Sequence, residues 1–258
     1  MELEKPFTAP FRILIIVAHP DDIEFGAAGS AAVWSDAGAD VTYCIVTDGS
    51  AGSNDKDVIL SELTERRRME QWEAASHVGV KDVRFLGYKD GMLEPTLELR
   101  RDLTRLIREL RPDRVAIMDP TMILISSEQF DYINHPDHRA TGEASLYAVF
   151  PSAETRPIFP ELLSEGLEPH HVKELYLMMS DKPNIAVDIS AVWERKTKAL
   201  LSHKSQLSEE VIEFVRPWDV ETGKQTGVEL AESFRVMRFY NQSGDVERVQ
   251  PQEAAQPA

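Results

Sequence analysis

A chain of 258 residues, 42% hydrophobic and 28% charged, has the make-up of an ordinary globular protein, long enough for one large α/β domain or a domain with a smaller appendage. Its formal net charge of −16 argues against nucleic acid as a partner, because phosphate binding needs clustered Lys and Arg. No apolar run approaches the roughly 20 residues that cross a bilayer, so no membrane span is expected.

Residues 1–12, MELEKPFTAPFR, lack a basic-then-apolar leader and predict no secretory signal. FRILIIVA (11–18) is a near-continuous aliphatic run, as a strand buried on both faces requires. GAAGSAAVWSDAG (26–38) reads as a helix closed by Gly38, and VTYCIVT (41–47) as the second strand. Its Cys44 is expected to be a small buried strand residue. A single cysteine makes no internal disulfide, which fits a reducing compartment, so a cytoplasmic protein is expected.

ELTERRRMEQWEAASHVGV (62–80) is helical, with Leu63, Met69, Trp72, Ala75 and Val78 as its inward stripe. DVRFLGY (82–88) is a third strand, and TLELRRDLTRLIREL (96–110) a strongly periodic helix. Arg100, Arg101, Arg105, Arg108 and Arg111 interleave with Glu98, Asp102 and Glu109, which predicts a solvated, ion-paired face. RPDRVAIMDP (111–120) holds a fourth strand, and a helix runs from about Pro136 to Val149.

This alternation predicts right-handed βαβ units and a Rossmann-like parallel sheet flanked by helices. From residue 151 prolines interrupt the rhythm, at 151, 157, 160 and 169. Strands over 172–179, 184–190 and 232–240, with a helix over 191–206, form a smaller mixed C-terminal extension (151–240). It packs on the 11–150 core, so that 1–240 is one domain. The tail 241–258 has no large apolar residue beyond two valines and is expected to be disordered.

In open α/β sheets ligands bind beyond the carboxyl ends of the strands. Here His19, Asp21 and Asp22 follow the first strand, Asp48 the second and Asp90 the third, while His135 and His138 lie beyond the fourth. A catalytic zinc takes three His or carboxylate ligands and keeps one position open. His19, Asp22 and His138 supply such a set and leave Asp21 free to address the open position. Pro136 suits the first position of a helix, which makes His135 its N-cap and puts His138 in the first turn. Asp137 is favoured there by the helix dipole and can hold a ring nitrogen of His135.

One His-Pro-Asp cluster alone could be a capped turn; two clusters, each after a strand, point to one metal site. A dinucleotide site would require a glycine where Glu24 stands, so Gly26 and Gly29 read as permitting a tight turn and close helix packing. His77 reads as a surface or packing residue, His170 and His171 as exposed, and His203 as favouring a helix end. There is no G-x-S-x-G elbow, and Cys44 has no activating partner, so metal-dependent hydrolysis is the preferred chemistry.

AHPDD (18–22), TDG (47–49), FLGYKDGML (85–93), HPDHRATGEA (135–144), KPNIAVDIS (182–190), KALLSHKSQ (198–206) and AESFRV (231–236) together resemble the LmbE-like, or PIG-L, N-acetylglucosaminyl deacetylases, a zinc-dependent family with a Rossmann-like fold. The resemblance implies that His19, Asp22 and His138 bind the metal, zinc or in the cell ferrous iron or another divalent ion. It implies Asp21 as general base and His135 as the group that stabilises the oxyanion or protonates the amine, with Asp137 beside it. Arg67, flanked by Arg66 and Arg68, matches the family's substrate arginine, and Asp90 its sugar-hydroxyl acceptor.

The implied reaction removes acetyl from a small amino-sugar substrate of the N-acetylglucosamine type. The alternative is a zinc amidase for a larger amide such as a thiol S-conjugate. A non-catalytic sugar- or metal-binding protein and a nucleotide-binding regulator are the rivals outside catalysis. A homo-oligomer, trimer or hexamer, is also implied, and the insertion 121–134 is expected to be a lid or an oligomer contact.

Overall fold

The computed structural model describes residues 1–8, 11–126 and 131–239. The tail expected over 241–258, and Tyr240 at the end of the last expected strand, lie outside the described residues.

A two-residue strand, β1 (Glu2–Leu3), precedes the aliphatic run, which forms β2 (Phe11–Val17). The helix expected over 26–38 is α2 (Ala28–Asp36), and a short helix not expected, α1 (Asp22–Gly26), precedes it across Ala27. β3 (Ala39–Thr47), α3 (Leu60–His77), β4 (Asp82–Tyr88), α4 (Leu97–Leu110) and β5 (Arg114–Met118) follow close to their expected bounds. β6 (Leu124–Ser126) and β7 (Asp131–Ile133), paired antiparallel, precede α5 (Pro136–Tyr147), and residues 127–130 of the 121–134 insertion lie outside the described residues. The C-terminal part adds α6 (Glu161–Ser164), β8 (Glu174–Met178), β9 (Ile185–Asp188), α7 (Trp193–Ser202), α8 (Glu210–Thr226) and β10 (Ala231–Arg238).

The large sheet has the order β1-β9-β10-β8-β5-β2-β3-β4. β4, β3, β2, β5 and β8 run parallel, while β10 is antiparallel to both β8 and β9. This is the expected mostly parallel sheet flanked by helices. Alternation along β2 explains its two-sided burial. Ile13, Ile15 and Val17 join the layer under α2 and α3, whereas Leu14 and Ile16 join Leu99, Leu103 and Ile107 of α4 on the other face. Cys44 is fully buried in that second layer, where burial pushes its thiol up to about 12, so it is no nucleophile.

Four expectations need correction. On α3, Met69 and Trp72 are 61% and 40% exposed, and the inward face instead carries Leu63, Arg67, Glu70, Gln71 and Ala74. That face is polar because it meets the loops at the strand ends rather than the core. On α4, Arg108 is buried and donates to the carbonyls of Ser152, Ala153, Thr155 and Ile158, closing the turn after α5. α8 was not expected: Pro217 lies inside it, and its buried stripe of Val211, Val215, Asp219 and Gly223 is too sparsely apolar to read as a helix. Finally His170 is buried and donates from Nε2 to the Pro112 carbonyl at 2.7 Å.

The N-terminus of α2 is capped by a carboxylate from a strand. The Gly29 and Ser30 amides and the Ser30 hydroxyl donate to the carboxylate of Glu232 on β10, filling the place an anion takes at a helix start. Lys196 of α7, fully buried, pairs with Glu232 at 2.8 Å and with Asp219 at 2.7 Å. Gly29 also permits close packing, since a Cβ there would sit 2.8 Å from Ile189.

At the opposite end of the strands the Glu4 carboxylate fastens the N-terminal segment. It lies 2.6 Å from Arg114 Nη1 and accepts from the Tyr176 hydroxyl and the Trp34 indole, each at 2.8 Å. Glu4→Ala leaves all three donors without that acceptor, although Glu174 still pairs with Arg114. The expected loss in a urea melt is about 3 kcal/mol; a loss below about 1 kcal/mol would show the contact to be idle.

Candidate active site

β2 lies between β3, which continues outward to β4, and β5, reached only after the chain crosses back. Neighbouring loops therefore leave β2 and β5 in opposite directions and open a crevice at their carboxyl ends. Two polar loops enter it, residues 18–22 after β2 and residues 134–138 at the start of α5. As expected, His135 is the N-cap of α5, accepting the Asp137 amide on Nδ1 at 3.2 Å, and Pro136 takes the first helical position.

This juxtaposition brings three donors together across more than a hundred residues of sequence. His19 Nδ1 lies 3.2 Å from His138 Nε2 and 3.4 Å from Asp22 Oδ2, and His138 Nε2 lies 3.1 Å from Asp22 Oδ1. A tetrahedral ion held at about 2.0–2.1 Å by such donors keeps them about 3.3 Å apart, so the spacing fits zinc. The nearest donor atoms of His19, His135 and His138 also lie within 4.8 Å of one another.

The other edge of His19 was not legible in the sequence. Its Nε2 faces Asp90 Oδ1 at 3.0 Å and Asp137 Oδ2 at 3.3 Å. A proton on Nε2 is shared between these carboxylates and leaves the Nδ1 lone pair for an ion. Asp90 Oδ2 accepts the Ala51 amide, while Asp137, fully buried, accepts the amides of Gly91 and Leu93. Asp137 thus holds His19; its carboxylate stands 4.0 Å from the His135 ring nitrogen it was expected to hold. His138 is oriented by Asn134, whose Oδ1 lies 3.2 Å from Nδ1 and whose amide nitrogen donates to the Met122 carbonyl.

The electrostatics call for a cation. Burial opposes charge on His19, yet Asp22 first, then hydrogen bonds to Asp137, Asp22 and Asp90, push its imidazole up to about 12. Burial also opposes ionisation of Asp22, but His138 and His19 outweigh it and hold the carboxyl well below its ordinary range. Three carboxylates around one imidazole form a site that a divalent ion satisfies in place of that proton. The half-buried His135 is different: burial and the neighbouring His19 lower its pKa, so it is neutral near pH 7.

Asp21 stands beside the cluster in a left-handed backbone conformation, φ 91°, uncommon for a residue with a side chain. Burial, aided by the Asp22 charge and opposed by Arg67 and His203, raises its carboxyl to about 6. Arg67 is the one of three consecutive arginines that turns inward, because each residue advances about 100° around a helix. It donates to the Pro20 carbonyl at 2.8 Å, to Asp21 Oδ2 at 3.3 Å and to the Gly49 carbonyl at 2.8 Å, and Asp90 lies at 3.8 Å. Gly49 is required here: it sits at φ 64°, and a Cβ would meet Arg67 and Pro20 at 3.1 Å.

Donors matched to a metal, a carboxylate poised near neutrality and a neutral imidazole at a helix start define the class, a metal-dependent hydrolase site on a doubly wound sheet. Comparison with known proteins agrees. The family described as PIG-L, GlcNAc-PI de-N-acetylase, matches residues 14–149. A diacetylchitobiose deacetylase of Thermococcus kodakarensis is 36% identical, over 91% of this chain and 86% of that protein. A 1D-myo-inositol 2-acetamido-2-deoxy-α-D-glucopyranoside deacetylase of Thermobifida fusca is 27% identical, over 76% and 84%. Among solved structures, N,N'-diacetylchitobiose deacetylase from Pyrococcus horikoshii, in complex with an inhibitor, superposes with a TM-score of 0.83 at 35% identity, covering 92% of this chain and 87% of that one. The chain belongs to the PIG-L family.

Proposed function

We propose that this protein is a zinc-dependent deacetylase that hydrolyses the N-acetyl group of an N-acetylglucosaminide, with a diacetylchitobiose-like β-linked disaccharide as its first candidate substrate. The observation that carries the reading is the convergence of His19, Asp22 and His138 within 3.4 Å of one another beside a separate carboxylate, Asp21. The match to diacetylchitobiose deacetylases over nine-tenths of the chain supports the choice of sugar.

His19 Nδ1, Asp22 and His138 Nε2 would hold the ion. When bound, it supplies Lewis acidity to a water and to the amide carbonyl oxygen. Asp21 accepts the proton of the attacking water, a task suited to a carboxyl lifted toward neutrality. His135, neutral and at the N-terminus of α5, donates to the oxygen that gains negative charge. Asp21 then returns that proton to the departing nitrogen as the C–N bond breaks, releasing amine and acetate. Asp90 and Asp137 keep His19 in the ligating tautomer, and Arg67 holds the Asp21 loop while its charge favours the ionised base.

In this reading residues 1–240 act as one unit on a small amino sugar in the cytoplasm, as a homo-oligomer, a trimer or hexamer. Support comes from the sheet that runs through core and extension and from the exposed apolar pair Leu124 and Ile133 on the paired strands β6 and β7. The net charge of −16 speaks against a nucleic-acid partner.

The test is release of primary amine from diacetylchitobiose, free N-acetylglucosamine and an acetylated S-conjugate, before chelation, after chelation and after adding back zinc. Amine release from the sugars that chelation abolishes and zinc restores is expected. Release that ignores the chelator, or that occurs only from the S-conjugate, would falsify the assignment.

A further inference from the structure

Asp21 must point its carboxylate into the crevice from a backbone conformation that side chains disfavour. We propose that Gln71, Glu24 and His203 form a buried brace that fixes the Asp21 backbone, making them positioning residues for the reaction; this rests on the reading of Asp21 as the base. The brace begins at one peptide unit. Its oxygen, on Pro20, accepts from Arg67 Nη2 at 2.8 Å, and its N–H, on Asp21, donates to Gln71 Oε1 at 3.0 Å. Arg67 and Gln71 are four residues apart on α3 and so share a face. Gripped at both ends, the Pro20–Asp21 peptide plane cannot rotate, and its orientation sets the direction in which Asp21 leaves the chain.

The amide of Gln71 admits one orientation. Oε1 must accept from the Asp21 N–H, which leaves Nε2 to donate to Glu24 Oε1, a carboxylate that only accepts, at 3.0 Å. Glu24 Oε2 in turn faces His203 Nε2 at 3.2 Å. Gln71, Glu24 and His203 are all fully buried, although they come from α3, α1 and the residue after α7. Glu70 fastens the same turn from its other side, accepting from the amide and the hydroxyl of Ser205. An apolar core would fill this space more cheaply but would leave the Asp21 N–H without an acceptor. The segment after α7 is therefore linked to the Asp21 backbone through three hydrogen bonds.

The test uses Gln71→Leu, Gln71→Glu and the double variant Glu24→Gln with Gln71→Glu, all in the amine-release assay. Gln71→Leu removes the acceptor; kcat is expected to fall about 10- to 100-fold, the scale of a small misplacement of a reacting group. KM and zinc content should stay near wild type, because the ion's ligands are not touched, while the thermal midpoint falls, because the Asp21 N–H and the Glu24 carboxylate each lose a buried partner. Gln71→Glu sets two carboxylates against each other and should lower kcat likewise. The double variant exchanges the roles. Its carboxylate at position 71 accepts from the Asp21 N–H, and its amide at position 24 donates to that carboxylate while still accepting from His203. Most of the lost kcat should return.

Should Gln71→Leu fail to fold, the comparison of Gln71→Glu with the double variant decides alone. Wild-type kcat in both single variants, or a loss that follows zinc content or melting and is not recovered in the double variant, overturns the brace. An inactive zinc-loaded wild type sinks the reading of function, and the brace with it; with an active wild type, such a result counts against the brace alone.

Discussion

Asp21→Asn lowers kcat by about 10²–10⁴-fold while the protein keeps its zinc. The two halves of that result come from one geometric fact: the Asp21 carboxylate lies next to the donor cluster but is engaged by Arg67, not by His19 or His138. Asparagine keeps the shape and can still accept from Arg67, so the loop and the ion's ligands are retained. What it lacks is the capacity to take a proton. Metal content per chain and kcat are the paired measurements. An Asp21→Asn protein that is fully loaded and as active as wild type would remove Asp21 from the chemistry. One that has lost its zinc would place Asp21 among the ligands.

His138→Ala is expected to lose both zinc and turnover. It removes one of three donors and also leaves Asp22 without the neighbour that contributes most to its charge. Asn134→Ala, which keeps the three donors but removes the side chain that orients His138 and donates to the Met122 carbonyl, should weaken zinc by about 10- to 100-fold, and His138→Ala by more. Zinc affinity by competition with a chromophoric chelator ranks the three proteins. An order in which His138→Ala binds as tightly as wild type would mean that the ion sits elsewhere, with His135 the next donor in reach. The apolar layers are left intact, because His138 lies outside both of them, so any loss of stability is that of the Asp22 contact.

Much of the architecture was legible because it follows from local periodicity. β4 falls where DVRFLGY predicts it, and β2 is the two-sided strand that an unbroken aliphatic run demands. The N-cap at His135 follows from a proline one position later. The candidate donors were legible for the same reason: each follows a recognisable strand end or helix start, and strand ends on one edge of a parallel sheet meet in space. Where the local signal was weak, reading failed. Pro217 and a sparse apolar stripe hid α8, and the methionine and tryptophan of α3 mimicked a core face.

Amino-acid order alone thus settled the alternating strands and helices of the core, and which polar residues stand at the edge where a parallel sheet binds ligands. Partnership among the polar residues had to wait for the packed molecule. That Asp90 and Asp137 share one edge of His19, that Arg67 faces inward between two exposed arginines, and that Glu24 meets His203 across 179 residues all depend on which helix faces lie against which loops. Hydrophobic periodicity records whether a position is buried; it carries no label for the group on another element that will satisfy a buried charge. That choice is made by long-range packing, because a buried polar group is tolerated only where its partner arrives at hydrogen-bond distance.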